Sequence, residues 1–191
     1  MCPVNNIITV FNDLVYRGCS YEDLEWLLST NDLPEITGRI CPKPCENSCV
    51  LSINDKPVTI CDIEYTIIEH AYREGWMEPS PPAFRTGKKV AVIGSGPSGL
   101  ACANQLNYAG PTESVYEKNE SVGGLVALGI PDFKLEPKIL DRRVELMKKE
   151  GVIFKTQAHV GVNVSMKDVQ QEYDAVVLCP GADHSPGLSV E

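Results

Sequence analysis

Two stretches of this chain bring together residue types that can do chemistry. The first is Cys41-Pro-Lys-Pro-Cys45-Glu-Asn-Ser-Cys49, three thiols with three residues in each gap. Thiolates are ligands for iron–sulfur clusters and for zinc. Structural zinc sites favour two residues between paired cysteines, so the wider gaps favour iron and sulfide. Cys2 is a fourth candidate because Pro3 follows it, and Cys-Pro closes ferredoxin-type runs. The second stretch is Val90-Ala-Val-Ile-Gly-Ser-Gly-Pro-Ser-Gly99. A β-branched apolar run meets glycines in the order G-x-G-x-x-G, and Leu100, Ala101, Ala103 and Leu106 follow at roughly helical spacing. This is the strand–turn–helix expected of a dinucleotide site, the alternative being a glycine-rich βα turn that binds nothing. Gly94 permits the turn, Gly96 admits a pyrophosphate to the backbone, and Gly99 lets helix and strand pack closely. The helix start supplies free N–H groups and a positive dipole for phosphate. A second strand, Ser114-Val-Tyr-Glu117, ends in an acid where a ribose hydroxyl needs an acceptor.

Glu64 is a third point of interest. Ile60 lies four residues before it, and Ile67 and Ile68 three and four after, so it shares an apolar face. A buried carboxylate is costly and needs a cation, a donor or a metal; if the helix is rotated, Glu64 is simply solvated. Cys19, Cys61 and Cys102 read as small packing residues, and Cys179 as packing or close to a cofactor. His70, His159 and His184 are scattered, and no residue has the setting of a general acid, base or nucleophile.

The elements that must position these residues follow from periodicity. Ile7, Val10, Phe11 and Leu14 form an amphipathic stripe stopped by Gly18. Ser20 is placed to cap a second helix with Leu24, Leu27 and Leu28 inward. Residues 31–54 show no periodicity and read as a loop held by something other than its own core. A third helix runs from about Asp62 to Glu74 and ends at Gly75. Pro79-Ser-Pro-Pro82 is a stiff linker. Beyond Glu117, Gly123-Gly124 must turn sharply or approach something closely, and Gly129-Ile-Pro131 is another turn. Pro137 opens a helix that buries Ile139, Leu140, Val144 and Met147 and stops at Gly151. Val152-Ile-Phe154 and Ala175-Val-Val-Leu178 read as short buried strands. The fold expected is α+β overall, an α-helical iron–sulfur domain over residues 1–78, a linker over 79–88, and an incomplete Rossmann-like α/β domain over 89–191.

Composition narrows the class. The chain has 191 residues, eight cysteines and a formal net charge of −9. Nucleic acid is an unfavourable partner, since phosphate binding needs a basic face. No apolar run approaches the ~20 residues of a membrane span. The first residues lack the basic and apolar regions of a signal peptide. The expectation is an intracellular protein, cytoplasmic or plastid, with free thiols.

Asn12-Asp-Leu-Val-Tyr-Arg-Gly18, Thr37-Gly-Arg-Ile-Cys-Pro42, Cys45-Glu46, Cys49, Arg85-Thr-Gly-Lys-Lys89, the Gly94–Gly99 fingerprint, Gly123-Gly-Leu125 and Gly129-Ile-Pro-Asp-Phe-Lys134 together resemble the small (β) subunit of glutamate synthase and the matching region of the fused NADH-type enzymes. Dihydropyrimidine dehydrogenase shares the architecture. The resemblance implies an N-terminal domain holding 4Fe–4S clusters and an FAD domain interrupted by an NAD(P)H domain. Electrons would pass from NAD(P)H to FAD, through the clusters, to FMN in a large subunit that makes glutamate from glutamine and 2-oxoglutarate. By position, Cys2, Cys41 and Cys45 resemble three ligands of one cluster, Glu64 its fourth, and Cys49 a ligand of the other. Dihydropyrimidine dehydrogenase has glutamine at the position of Glu64, so Glu64 leans toward glutamate synthase. Gly94, Ser95, Gly96, Pro97, Ser98 and Gly99 would cradle the FAD pyrophosphate. Glu117, with Lys118 beside it, would take the ribose. Gly124 and Leu125 would lie along the cofactor, Val160 would offer backbone to the adenine, and Gly181 would close the strand-end turn.

Departures from the family pattern accompany these matches. The family has three cysteines before the position of Cys2 and a second nucleotide domain beyond Gly181, so the chain reads as a fragment. Cys179-Pro180 and Gly110-Pro-Thr-Glu113 are unusual for the family and would weaken FAD binding. A rival of another class is a non-catalytic assembly module, with zinc or no metal in the cysteine loop.

Overall fold

The computed structural model describes residues 2–182. They form two compact units, Met1–Ser80 with Pro131–Leu146, and Pro81–Ile130 with Met147–Glu191.

The first unit is helical. Helix α1 spans Ile8–Arg17 and ends where Gly18 turns left-handed and its N–H caps the carbonyls of Leu14 and Val15. Helices α2 (Ser20–Leu28), α3 (Pro34–Ile40), α4 (Pro44–Asn47) and α5 (Ile60–Arg73) follow, with a 3-10 turn at Val50–Ile53. Phe11, Leu24, Leu27, Cys45, Ile60, Ile67, Ile68 and Ala71 make its core. Two expectations need correction. Ser20 is the first residue of α2 rather than its cap; Cys19 holds the cap position without a side-chain hydrogen bond. Residues 31–54 are not simply loop, since they contain α3, α4 and the 3-10 turn. These pieces are one or two turns long, too short for an apolar period to repeat. Prolines at the first positions of α3 and α4 start those two.

The second unit is a four-stranded parallel sheet in the order β3-β2-β1-β4, with β1 at Lys89–Ile93, β2 at Thr112–Tyr116, β3 at Ile153–Lys155 and β4 at Ala175–Leu178. Parallel neighbours require crossovers, which α6 (Pro97–Ala109), α7 (Leu125–Leu128), α8 (Pro137–Glu150) and α9 (Met166–Glu172) supply. Val90, Ala91, Val92 and Val115 are buried on the central strands. The expectation that β3 and β4 are buried is corrected. They flank the described sheet, and Ile153 and Leu178 are exposed. The chain steps from β1 to β2 on one side and places β4 on the other, so the order reverses at β1. Ligands of open parallel sheets bind outside the carboxyl ends of the strands at such a point. No helix among the described residues is long and apolar enough to cross a membrane.

Candidate functional site

The carboxyl end of β1 carries the fingerprint, and each glycine is needed for a separate reason. Gly94 has φ +106°, and a Cβ there would lie 2.1 Å from the Cys179 carbonyl oxygen. A Cβ on Gly99 would lie 1.9 Å from the Gly94 carbonyl oxygen, so helix α6 packs on the turn only without a side chain. Gly96 is different: a Cβ there meets nothing within 4 Å. The space beside it is a cavity of about 310 Å³ lined by residues 94–98, Glu117, Lys118, Asn119, Gly124, Leu125, Leu128, Cys179, Pro180, Gly181 and Ala182. Gly96 also occupies the cap position of α6, with Pro97 in its first turn, so unpaired N–H groups of the helix start face this side. The residues present fit a dinucleotide: an open glycine beside a helix N-terminus leaves room where a diphosphate needs it.

The other walls are tied to this turn. Gly124 has φ +55°, and a Cβ there would lie 3.0 Å from Gly96 Cα, so both readings of Gly123-Gly124 hold at once: it turns sharply and approaches closely. The Gly123 N–H donates to Ser95 Oγ at 3.0 Å. Glu117 is 4% exposed and accepts from the Ser95 N–H at 3.1 Å, from the Ser95 hydroxyl, from the Asn119 N–H at 2.9 Å and from Asn119 Nδ2 at 2.8 Å. Lys118 and Leu125 are exposed, Leu125 at the rim. Gly181 turns left-handed at φ +70° in the cavity wall. Val160 lines a smaller, adjoining cavity of about 130 Å³ that shares Glu117 and Lys118 with the larger one. Cys179 lies in the larger cavity wall, the nearer of its two sequence readings. His184 lies outside the described residues. Asn119 escaped sequence reasoning, although its bonds to Glu117 span only two residues; an amide two positions after an acid is the local signal that could have found it.

In the helical unit Glu64 is buried, which decides between its two readings, and it accepts one hydrogen bond, from Asn6 Nδ2 at 3.1 Å. Burial pushes its carboxyl up, opposed by the Asn6 bond. Burial also pushes up the Cys45 thiol, and the charges of Glu64 and Cys2 add to that. The Cys61 thiol is pushed up to about 11 by burial, with Lys43 opposing and Cys41 and Glu64 reinforcing. Cys2 packs against the core cluster of the helical unit, which holds Cys45. Cys61 is buried, its thiol donating to the Gly38 carbonyl at 3.3 Å. Cys49 stands apart at the cap of the 3-10 turn, its thiol held below the ordinary range by the backbone N–H groups of Val58 and Leu51. Among the described residues no three His, Cys, Asp or Glu side chains are set to share one metal ion. A four-iron cluster takes one protein ligand per iron, and three thiols with one carboxylate match it in number and kind of donor. Asn6, 58 residues from Glu64, carried no sequence signal.

The dihydropyrimidine dehydrogenase domain II, 4Fe-4S cluster family matches residues 1–76, and the NAD(P)-binding Rossmann-like domain family matches residues 92–132. The glutamate synthase [NADPH] small chain of Bacillus subtilis is 50% identical over 190 residues, which is 100% of this chain and 38% of that one. The chain is a homologue of the glutamate synthase small chains. The glutamate synthase [NADH] of Saccharomyces cerevisiae is 47% identical over 95% of this chain and 8% of its own length. Among solved structures, FprA from Mycobacterium tuberculosis overlaps 54% of this chain and 24% of its own, at 25% identity and a TM-score of 0.48. The chain thus spans well under half the length of these glutamate synthase relatives. It pairs a 4Fe–4S-type domain with a Rossmann-like dinucleotide-binding domain, and homology to glutamate synthases runs through both.

Proposed function

We propose that this chain is the iron–sulfur and first flavin-binding portion of a glutamate synthase small chain. Its task would be to carry electrons from NAD(P)H through FAD and 4Fe–4S clusters toward an FMN-containing large subunit, for reductive glutamate formation from glutamine and 2-oxoglutarate. The observation that carries this reading is the full-length 50% identity to a glutamate synthase small chain, over a fold that builds both a dinucleotide cradle and a thiol-rich helical unit. The bound groups would supply the electron chemistry; the protein would hold them and set their surroundings.

In this reading Gly94, Ser95, Gly96, Pro97, Ser98 and Gly99 form the diphosphate cradle. Glu117 and Lys118 stand at the ribose, Gly124, Leu125 and Gly181 along the cofactor, and Val160 at the adenine. FAD is the dinucleotide that the resemblance to the glutamate synthase small chains implies for this cradle. Cys2, Cys41, Cys45 and Glu64 ligate one cluster. A carboxylate in a buried site with a single amide donor is costly, and an iron ligand's role removes that cost. Cys49 belongs to the second cluster.

Anaerobic purification with iron, sulfide, zinc and flavin assays on one sample tests this. About four irons and four sulfides per chain, with a visible band that bleaches on reduction, are expected. Zinc or no metal in a colourless protein overturns the electron-carrier role of this chain. The family description over residues 1–76 names dihydropyrimidine dehydrogenase, so pyrimidine reduction is the second reading. Turnover of the full-length parent with glutamine and 2-oxoglutarate, against uracil, separates the two.

A further inference from the structure

All acceptor positions of the Glu117 carboxylate are already used inside the protein. Oε2 accepts from the Ser95 N–H and hydroxyl, and Oε1 from the Asn119 N–H and side-chain amide. A carboxylate offers about four lone-pair sites, so a ribose hydroxyl can bond Glu117 only by displacing one of these donors. Three of the four are poor candidates. Two are backbone N–H groups. The third, the Ser95 hydroxyl, is fully buried and also accepts from the Gly123 N–H at 3.0 Å, so it holds the glycine turn to the Gly123-Gly124 loop. The Asn119 amide differs: it is on a half-buried side chain that lines the 310 Å³ cavity, so a change of its side-chain rotamer alone releases the Glu117 oxygen.

We infer that Asn119 is a specificity-determining residue whose side-chain amide holds the Glu117 lone pair that an adenosine ribose needs, and that nucleotide binding exchanges one donor for the other. This rests on the dinucleotide reading of the cavity. Like is exchanged for like, so the Asn119 bond lowers the affinity gained from ribose hydroxyls and leaves contacts to the diphosphate and base untouched. Ser95 is a positioning residue in the same arrangement. It acts through Glu117 and Gly123 and fixes the carboxylate where only Oε1 is exchangeable.

The test is calorimetric titration of ADP and of 2′,3′-dideoxy-ADP into the wild-type chain, Asn119→Ala, and Asn119→Ala with Glu117→Gln. Asn119→Ser serves as a second truncation, and thermal unfolding checks that each variant folds. Asn119→Ala should bind ADP roughly two- to tenfold tighter, the worth of one hydrogen bond. The dideoxy ligand should show no gain, and the gain should vanish with Glu117→Gln. Equal ADP affinity in wild type and both Asn119 variants, or an equal gain with the dideoxy ligand, overturns the inference and leaves the dinucleotide reading standing. No binding of ADP or FAD to any of these proteins removes the dinucleotide reading and the inference with it.

Discussion

The carboxylate of Glu35 and the guanidinium of Arg143 face each other with both side chains excluded from water, at 0% and 2% exposure. Arg143 NH2 lies 2.9 Å from Glu35 Oε2, and its Nε donates to Oε1, a two-pronged fit. Tyr72 donates to Glu35 Oε1 at 3.3 Å. Beside them Arg142 bonds Glu69 and stacks 3.7 Å over the Tyr72 ring, while Arg39 holds Glu69 from the other side at 3.0 Å. The pair joins residues 108 apart in sequence and fastens the first turns of α8 into the helical unit. Removing one partner leaves an uncompensated buried charge. Arg143→Ala should therefore lower unfolding free energy by about 3–5 kcal/mol, and Glu35→Leu with Arg143→Met should recover much of it. Denaturant titration of the wild type, both corresponding single variants and the double variant measures this; a double-variant loss equal to the sum of the two single losses would show that the pair is not energetically coupled.

Gly96 and Gly99 should respond to alanine in opposite ways. Gly96→Ala places its methyl in open space, so stability should stay within about 0.5 kcal/mol while dinucleotide affinity falls. Gly99→Ala forces the methyl against the Gly94 carbonyl and should cost about 1–3 kcal/mol. Unfolding midpoints and flavin titration on the two variants check the contrast.

Glu113 makes stability depend on pH. It is fully buried on β2, both its oxygens lack a hydrogen-bond partner among the described residues, and Arg85 is 3.8 Å away. Burial pushes its carboxyl up to about 7 from an ordinary 4.5, with Arg85 opposing. The folded protein then keeps a proton that the unfolded chain has lost. Stability from this group is present below pH 4.5 and falls as pH rises from 4.5 to about 7. Glu113→Gln should flatten the wild-type decline across that window. An unchanged slope in denaturant titrations at several pH values would exclude Glu113 as its source.

The thiols of the helical unit should divide by role. Cys45→Ser and Glu64→Leu should each lower iron and sulfide per chain after anaerobic purification. Cys61→Ser should not, since its thiol only donates to the Gly38 and Thr37 carbonyls. Iron loss in Cys61→Ser equal to that in Cys45→Ser would redraw the ligand set.

Much of this was legible in the sequence where the cause is local. A left-handed glycine ends a helix whatever surrounds it, so the stops at Gly18 and Gly151 follow from residue type and nearby periodicity. The strand, turn and helix of the fingerprint occupy one continuous stretch, and its glycines are demanded by backbone contacts within that stretch or beside it. The grouping of six of the eight cysteines in the first 61 residues likewise marks a thiol-rich unit from sequence alone. Short helices such as α3 and α9 were not legible, because one or two turns carry too few apolar positions to set a period.

The sequence by itself determined the elements, their stops and the two kinds of donor chemistry, because φ preference, apolar spacing and side-chain type act over a few residues. Tertiary structure decided which acid is buried and what faces it. Glu64 meets Asn6 across 58 residues, and Ser95 meets Glu117 across 22. The same acidic residue type ends up shielded at Glu35, orphaned at Glu113 and saturated at Glu117. Those outcomes depend on which surfaces pack and how many donors arrive, and both are set only when distant segments close on one another.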